Sequence, residues 1–322
     1  PISPPRVLLP IGIGTCLSLL GDASIYAVLP SHVVEAGVSI ASLGILLSAN
    51  RFVRLFSNGP AGMAYDRGRR RRLFVSALFL GALSTALYAL SQGFWLLLVG
   101  RLLWGLAWSG IWVGGNTIVL DISREDTRGR WVGAYQVSFY LGAAGGALLG
   151  GFLTDAIGYH QAMGICASLT FLGATIALIF LPETRGLDRN VRESSTAPIQ
   201  GGVAPPETSV SSHTADPAHR RQFASATALY SVHRLVLAGI FSATFGLYLL
   251  SQVGDHVQVG VWSLGVATLT GIGLGLSTLI SAVSAPLVGG FSDRIGNRWR
   301  VAAGGLIPGI VGFVFLAAEL PL

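Results

Sequence analysis

Four ionisable side chains lie inside long apolar stretches of this chain: Asp22, Arg51, Arg54 and Arg101. Charge in such a setting is costly and is kept where it is paired or functional. At 1.5 Å per helical residue, Asp22 lies about 12 Å from the end of its stretch at Pro30. Arg101 lies about 12 Å into a later stretch that runs the opposite way. Equal depth allows an Asp22–Arg101 ion pair, direct or through water. Asp22 is the one carboxylate well inside a stretch, and no histidine lies as deep. It is therefore the candidate proton carrier, with Arg101 as its counter-charge until the two separate; a fixed structural pair is the alternative.

Arg51, Arg54 and Asn58 follow one another at i, i+3 and i+7 and share one helical face. A lipid-facing guanidinium near mid-membrane would cost at least ~2.5 kcal/mol, so the stripe must face protein or a water-filled cavity. Three buried positive charges against one negative suit an anionic or zwitterionic substrate. Otherwise Arg54 binds helix-end carbonyls and adds nothing to a cavity. Trp104, Trp108 and Trp112 form a second stripe at four-residue spacing. It reads either as an aromatic cavity wall centred on Trp108 or as helix packing.

The elements that carry these residues follow from composition. The chain has 322 residues, 52% hydrophobic and 11% charged, with mean hydropathy +0.63. A soluble domain carries about a quarter charged residues, so this one lacks a water-facing surface. Disordered, collagen-like and disulfide-rich classes are excluded by the apolar content and the two cysteines. Apolar stretches of about 20 residues predict nine spans, near 7–30, 39–64, 73–91, 94–120, 131–154, 161–181, 233–252, 259–288 and 300–319. The first, interrupted by Asp22, Ser24 and Tyr26, has no small-residue cleavage site and reads as a retained span. Of the 21 basic residues, all arginine, 18 fall in alternate connections and none in the others near 31–38, 91–93, 155–160 and 253–258. The positive-inside rule then places the N-terminus in the cytoplasm. It also explains the net charge of +6 without any nucleic acid.

Residues 183–228 break the pattern. Pro198, Pro205, Pro206 and Pro217 lie among Ser, Thr, Ala and Gly, which predicts a cytoplasmic, mostly disordered linker. It separates a six-span bundle at 1–182 from three spans at 229–322. Gly62-Met-Ala-Tyr-Asp66-Arg67-Gly68-Arg69 after span two is echoed by Gly289-Gly-Phe-Ser-Asp293-Arg294-Ile-Gly296-Asn297-Arg298 after span eight. That echo implies two six-span repeats, the second of which ends three spans early.

These residues resemble the major facilitator superfamily, and within it the drug:proton antiporter-like members. The two Gly-x3-Asp-Arg loops carry most of the resemblance; the first is one residue tighter than the family pattern. Arg101-Leu-Leu-Trp-Gly105 resembles the fourth-span Arg-x3-Gly motif. Gly142, Gly146, Gly150 and Gly151 resemble the antiporter motif of span five, with Ala147 where proline is expected. Gly21-Asp22 through Leu29-Pro30 is similar to the first-span motif of such exporters. The resemblance implies an all-α fold of two bundles and a central cavity lined by spans one and four. It also implies proton coupling through Asp22 and Arg101. Gly62, Asp66, Arg67, Gly289, Asp293, Arg294, Gly296 and Arg298 then form a conformational latch, whose arginines otherwise serve only topology. Read without the family, the glycine stripe of span five is a helix-packing groove. Spans seven and eight offer Tyr248, Gln252, Ser277, Thr278 and Ser281 to the cavity wall.

There is no lysine, hence no Walker Gly-x4-Gly-Lys motor. No Cys/His cluster has metal-ligand spacing, and Cys16 and Cys166 fall in different spans. Neither an enzyme, a catalytic residue, a metal nor a cofactor is expected. The first reading is a proton-coupled exporter of a small organic molecule in the inner (plasma) membrane. An uptake symporter or facilitator for an organic anion is the second, and a non-transporting receptor or scaffold the third. The expected partners are a small-molecule substrate, protons and the lipid bilayer, with the protein acting as a monomer.

Overall fold

The computed structural model describes residues 3–124, 127–186, 217–259, 262–295 and 298–317. It is built of helices joined by short connections. They are α1 Pro4–Val28, α2 Leu43–Arg67, α3 Arg70–Leu90, α4 Phe94–Ile122, α5 Arg128–Ile157 and α6 Tyr159–Phe180, then α7 Pro217–Arg234, α8 Ser242–Val253, α9 Val266–Ile295 and α10 Arg298–Ala317. A π-helical turn, Leu235–Phe241, joins α7 to α8. Eight segments among the described residues are long and apolar enough to cross a membrane. α10 occupies the place of the ninth expected span, with a shorter apolar part at Ala303–Phe315. The many exposed large apolar side chains, such as Leu55 and Trp95, suit a lipid solvent.

Two boundaries differ from the sequence reading. α7 begins at Pro217, inside the stretch expected to be linker, because proline pre-sets the first helical turn and needs no N–H there. Residues 187–216, the rest of that stretch, lie outside the described residues. The eighth span begins at Val266 rather than 259. Ahead of it, β1 His256–Val259 and β2 Trp262–Gly265 pair antiparallel, with His256 opposite Gly265 and Val259 opposite Trp262. His-Val-Gln-Val alternates polar and apolar with the period of a strand, which a helix cannot use.

Two compact units make up the chain, Pro1–Gly275 and Leu276–Leu322. In the first, α1 is the central helix, flanked by α5 and α6. α2 packs on α4, and α3 lies against α4 and α6. The corner between α5 and α6 is a single residue, Gly158, at φ 85, where a side chain would be strained. The second unit holds the rest of α9 and α10.

The glycine stripe of α5 sets the distance to α1. A Cβ on Gly142 would lie 2.5 Å from the Cys16 carbonyl oxygen, and one on Gly146 would lie 2.8 Å from Ala23 Cβ. One on Gly150 would collide with the Ser24 side chain. Ser24 Oγ crosses the seam to donate to Gly146 O at 2.8 Å. The packing reading of this stripe thus has a direct structural basis. Gly150→Val is expected to destabilise the protein by about 1–3 kcal/mol through overpacking. Gly133→Val, on the same helix with nothing within 4 Å of its Cβ position, should be close to neutral. Thermal unfolding of the two purified variants checks the contrast.

Candidate functional site

Asp22 of α1 and Arg101 of α4 do meet. Arg101 Nη1 donates to Asp22 Oδ1 at 2.5 Å, and Arg101 is fully buried. The rest of the guanidinium is satisfied as well. Nε donates to Leu46 O at 3.0 Å, and Nη2 to Tyr26 Oη at 2.7 Å and Leu47 O at 3.3 Å. The two leucine carbonyls belong to α2 and use their second lone pairs here. Gly105, one turn after Arg101, brings α2 this close: Asn50 O lies 2.5 Å from where its Cβ would be. The Arg-x3-Gly spacing therefore has a plain cause. The arginine needs α2 carbonyls, and only a glycine one turn on lets α2 approach.

Two residues that sequence reasoning missed complete the cluster. Asn50 Nδ2 donates to Asp22 Oδ1 at 3.3 Å, and Tyr26 Oη donates to Leu47 O at 3.2 Å. Tyr26 also lies between two guanidiniums, with Arg101 at 5.0 Å and Arg51 at 5.1 Å from its ring centroid. Both are polar residues within apolar spans one and two, the signal that could have found them. Arg51 is half-buried, and no carboxylate pairs with it among the described residues. Arg54 Nε donates to Asn50 O at 3.3 Å within its own helix, and Asn58 is exposed. The stripe thus divides: Arg54 leans back on the helix, and Arg51 faces the ring of Tyr26.

The tryptophan stripe is interior. Trp104 and Trp108 stack at 6.0 Å and Trp108 and Trp112 at 5.7 Å, while Trp108 tilts on Phe139 of α5 at 5.8 Å. Trp108 is 6% exposed, which makes it a packing residue between α4 and α5 rather than an open cavity wall. Tyr248 is half-buried on α8, and Gln252 is exposed.

At the arginine-rich face, Asp66 and Arg67 are exposed, and Gly62 has no atom within 4 Å of its Cβ position. The carboxylate that clasps this loop is instead Asp121, at the end of α4. Arg70 Nε donates to Asp121 Oδ2 at 3.1 Å, and Thr184 Oγ1 donates to the same oxygen at 3.1 Å. Of the second loop, Gly289, Asp293 and Arg294 lie in α9 and Arg298 starts α10, but their side chains lie outside the described residues, as does Gly296.

At the opposite, arginine-free face α5 meets α9. Gly151 abuts the backbone at Ala267, and Gly271 abuts the Ala147 carbonyl. Asp155, one turn beyond the glycine stripe, accepts the Thr268 N–H on Oδ2 at 2.7 Å, placing a carboxylate at the start of α9 where the helix dipole favours it. The stripe thus serves α1 with one edge and α9 with the other. Asp155 was passed over because it falls at a span end, where an acid looks like ordinary solvation.

A bundle of long apolar helices that holds the Asp22–Arg101 ion pair in its interior has the character of a polytopic membrane protein. Residues 11–320 match the profile of the Major Facilitator Superfamily, and the chain belongs to that family. It is 26% identical over 314 residues to the class B tetracycline resistance protein of Escherichia coli, covering 94% of this chain and 70% of that one. With the 4-hydroxybenzoate transporter PcaK of Pseudomonas putida it shares 29% over 243 residues, 75% of this chain and 52% of the relative. Among solved structures, a bacterial homolog of the human lysosomal transporter Spinster, inward-facing and occupied, superposes with TM-score 0.69 at 18% identity. That match covers 90% of this chain and 62% of the other. The chain thus spans only part of the length of these proteins.

Arg101→Ala would leave Asp22 as a buried charge without its strongest partner. The expected loss is about 3–5 kcal/mol, with part of it recovered when Asp22→Asn is added. Thermal unfolding of the two single variants and the double variant measures this. Simple additivity would show the two side chains to be energetically independent.

Proposed function

We propose that this chain is part of a secondary active transporter that moves a small organic molecule by alternating access, and that transport is coupled to protons and directed outward. The observation that carries the reading is the buried Asp22–Arg101 pair. A carboxylate and a guanidinium in an apolar interior are expensive, and replacing both with apolar residues would often be neutral or stabilising. Their presence is best explained by a function that needs a group able to gain and lose a proton. Both hydrogen bonds to Asp22 among the described residues fall on Oδ1, which leaves Oδ2 to take that proton. The relatives named for tetracycline resistance support the outward direction. The arginine distribution supports a plasma-membrane protein with its N-terminus in the cytoplasm.

The residue assignments belong to this proposal. Asp22 carries the proton and Arg101 is its counter-charge. The loops at Gly62–Arg67 and Gly289–Arg298 act on the switch between states from the arginine-rich face. The domain division is likewise proposed: a bundle at 1–182, a cytoplasmic linker, and a second bundle starting near 229. The protein works as a monomer, without metal or cofactor.

One observation favours a second reading, uptake of an organic anion. Arg51 is half-buried and has no carboxylate partner among the described residues, which suits the anionic group of a substrate. The relative named as a 4-hydroxybenzoate transporter agrees with that chemistry. Flux of tetracycline and of 4-hydroxybenzoate into proteoliposomes of the full-length protein separates the readings. Under proton-coupled export, Asp22→Asn should abolish accumulation driven by an imposed pH gradient. Exchange without a gradient should survive, since it needs alternating access but no net proton movement. Full gradient-driven transport by Asp22→Asn would remove Asp22 from the mechanism and put the facilitator ahead.

A further inference from the structure

The hydroxyls of Tyr88 on α3 and Tyr159 at the start of α6 are both fully buried and have no hydrogen-bond partner among the described residues. Buried hydroxyls are almost always partnered by protein or by ordered water. The serines beside them, Ser84 and Ser91, spend their own protons on backbone carbonyls. Ser84 donates to Gly100 O at 2.7 Å, and Ser91 donates to Tyr88 O at 2.8 Å. The two rings are placed between the buried pair and one surface. Arg101 Cζ is 5.9 Å from the centroid of Tyr88, and Gly100 makes room for that ring, whose Cε1 lies 2.8 Å from where a Cβ would be. Tyr159 lies beside the Ser91 side chain and within electrostatic range of Tyr88 and Arg101. Beyond Tyr159 the arginine-free face begins. The Tyr159 N–H donates to Glu35 Oε2 at 3.1 Å. His160 Nδ1 lies 2.9 Å from Ala89 O, and its Nε2 lies 3.2 Å from Glu35 O. Glu35 is exposed and His160 half-buried.

We propose that the Tyr88 and Tyr159 hydroxyls, bridged by buried water, form a proton route between Asp22 and the arginine-free face, with Glu35 and His160 at its outer end. The inference rests on the reading of Asp22 as a proton carrier. Each hydroxyl receives a proton from the oxygen before it and gives its own to the next, so only O–H bonds are exchanged. The transferred proton ends on Asp22, and no oxidant or reductant takes part. A tyrosine is suited to such a relay because its hydroxyl both donates and accepts. Two unpaired hydroxyls in the interior are otherwise a pure cost to folding. The groups around Asp22 fit a carboxylate reached from this side. Arg101 comes from α4, and Arg51 and Arg54 from α2. Tyr26 comes from its own helix and Tyr88 from α3. α5 offers its glycine edge, and α6 places Cys166 against Ser24.

Infrared difference spectra of the full-length protein in lipid films, recorded between acid and neutral pH, test the route without a substrate. Asp22→Asn identifies the carboxyl band of Asp22; Tyr88→Phe and Tyr159→Phe identify the phenol bands. The route requires phenol bands of both tyrosines to change together with the Asp22 band and to vanish in Asp22→Asn. An Asp22 band that forms with neither phenol responding overturns the route and leaves the proton-carrier reading intact. Absence of any Asp22 band overturns both. Each Tyr→Phe change removes one hydroxyl of the water-bridged chain and keeps the ring that packs there, so both variants should stay folded. Either tyrosine variant alone reads its own half of the prediction if the other cannot be purified.

Discussion

A guanidinium in an apolar interior has to find every one of its partners there, and the arrangement of α1, α2 and α4 follows from that demand. Arg101 is fully buried and spreads its donors over one carboxylate oxygen, one phenol oxygen and two backbone carbonyls. Those acceptors come from two different helices, so α1 and α2 must both lie within one side-chain length of α4. Removing any of them leaves a charged donor without water to fall back on, which costs far more than an ordinary hydrogen bond contributes. The pair is thus a constraint on the fold as much as a candidate for chemistry.

Meeting that constraint depends on residues with no side chain. Gly105 lets α2 reach Arg101, Gly100 lets Tyr88 lie beside it, and Gly142, Gly146 and Gly150 let α5 close against α1. In lipid there is no hydrophobic force between helices, so close backbone contact and interhelical hydrogen bonds supply the attraction. The bond from Ser24 to Gly146 O and the contact between Ser57 and Ser109, at 2.6 Å, are of that kind. A polar cluster is therefore held rigidly inside a framework of small residues.

The two faces of the bundle are built differently. On the arginine-rich face Arg70, Asp121 and Thr184 tie the end of α4 to the α2–α3 loop and to the chain after α6. On the arginine-free face Asp155 ties α5 to the first turn of α9 through a single backbone N–H. Each tie joins a carboxylate at the end of one span to a neighbouring element.

Most of the spans and their short connections were legible in the sequence, because lipid allows few solutions and a long apolar run must be a helix. The Asp22–Arg101 pair was legible for the same reason, since depth in a membrane can be counted along a helix. Other features depended on which helix faces which. Tyr26 and Asn50 as members of the cluster, the Arg70–Asp121 bridge, and the burial of Trp108 all turn on helix rotation, which periodicity alone leaves free. The hairpin before α9 and the early start of α7 escaped because a four-residue strand and a proline-led helix carry too little apolar pattern to announce themselves. The bilayer's demand on every residue of a span could be read from the chain alone. The contacts between spans, set by a few glycines and one guanidinium, were decided only in three dimensions.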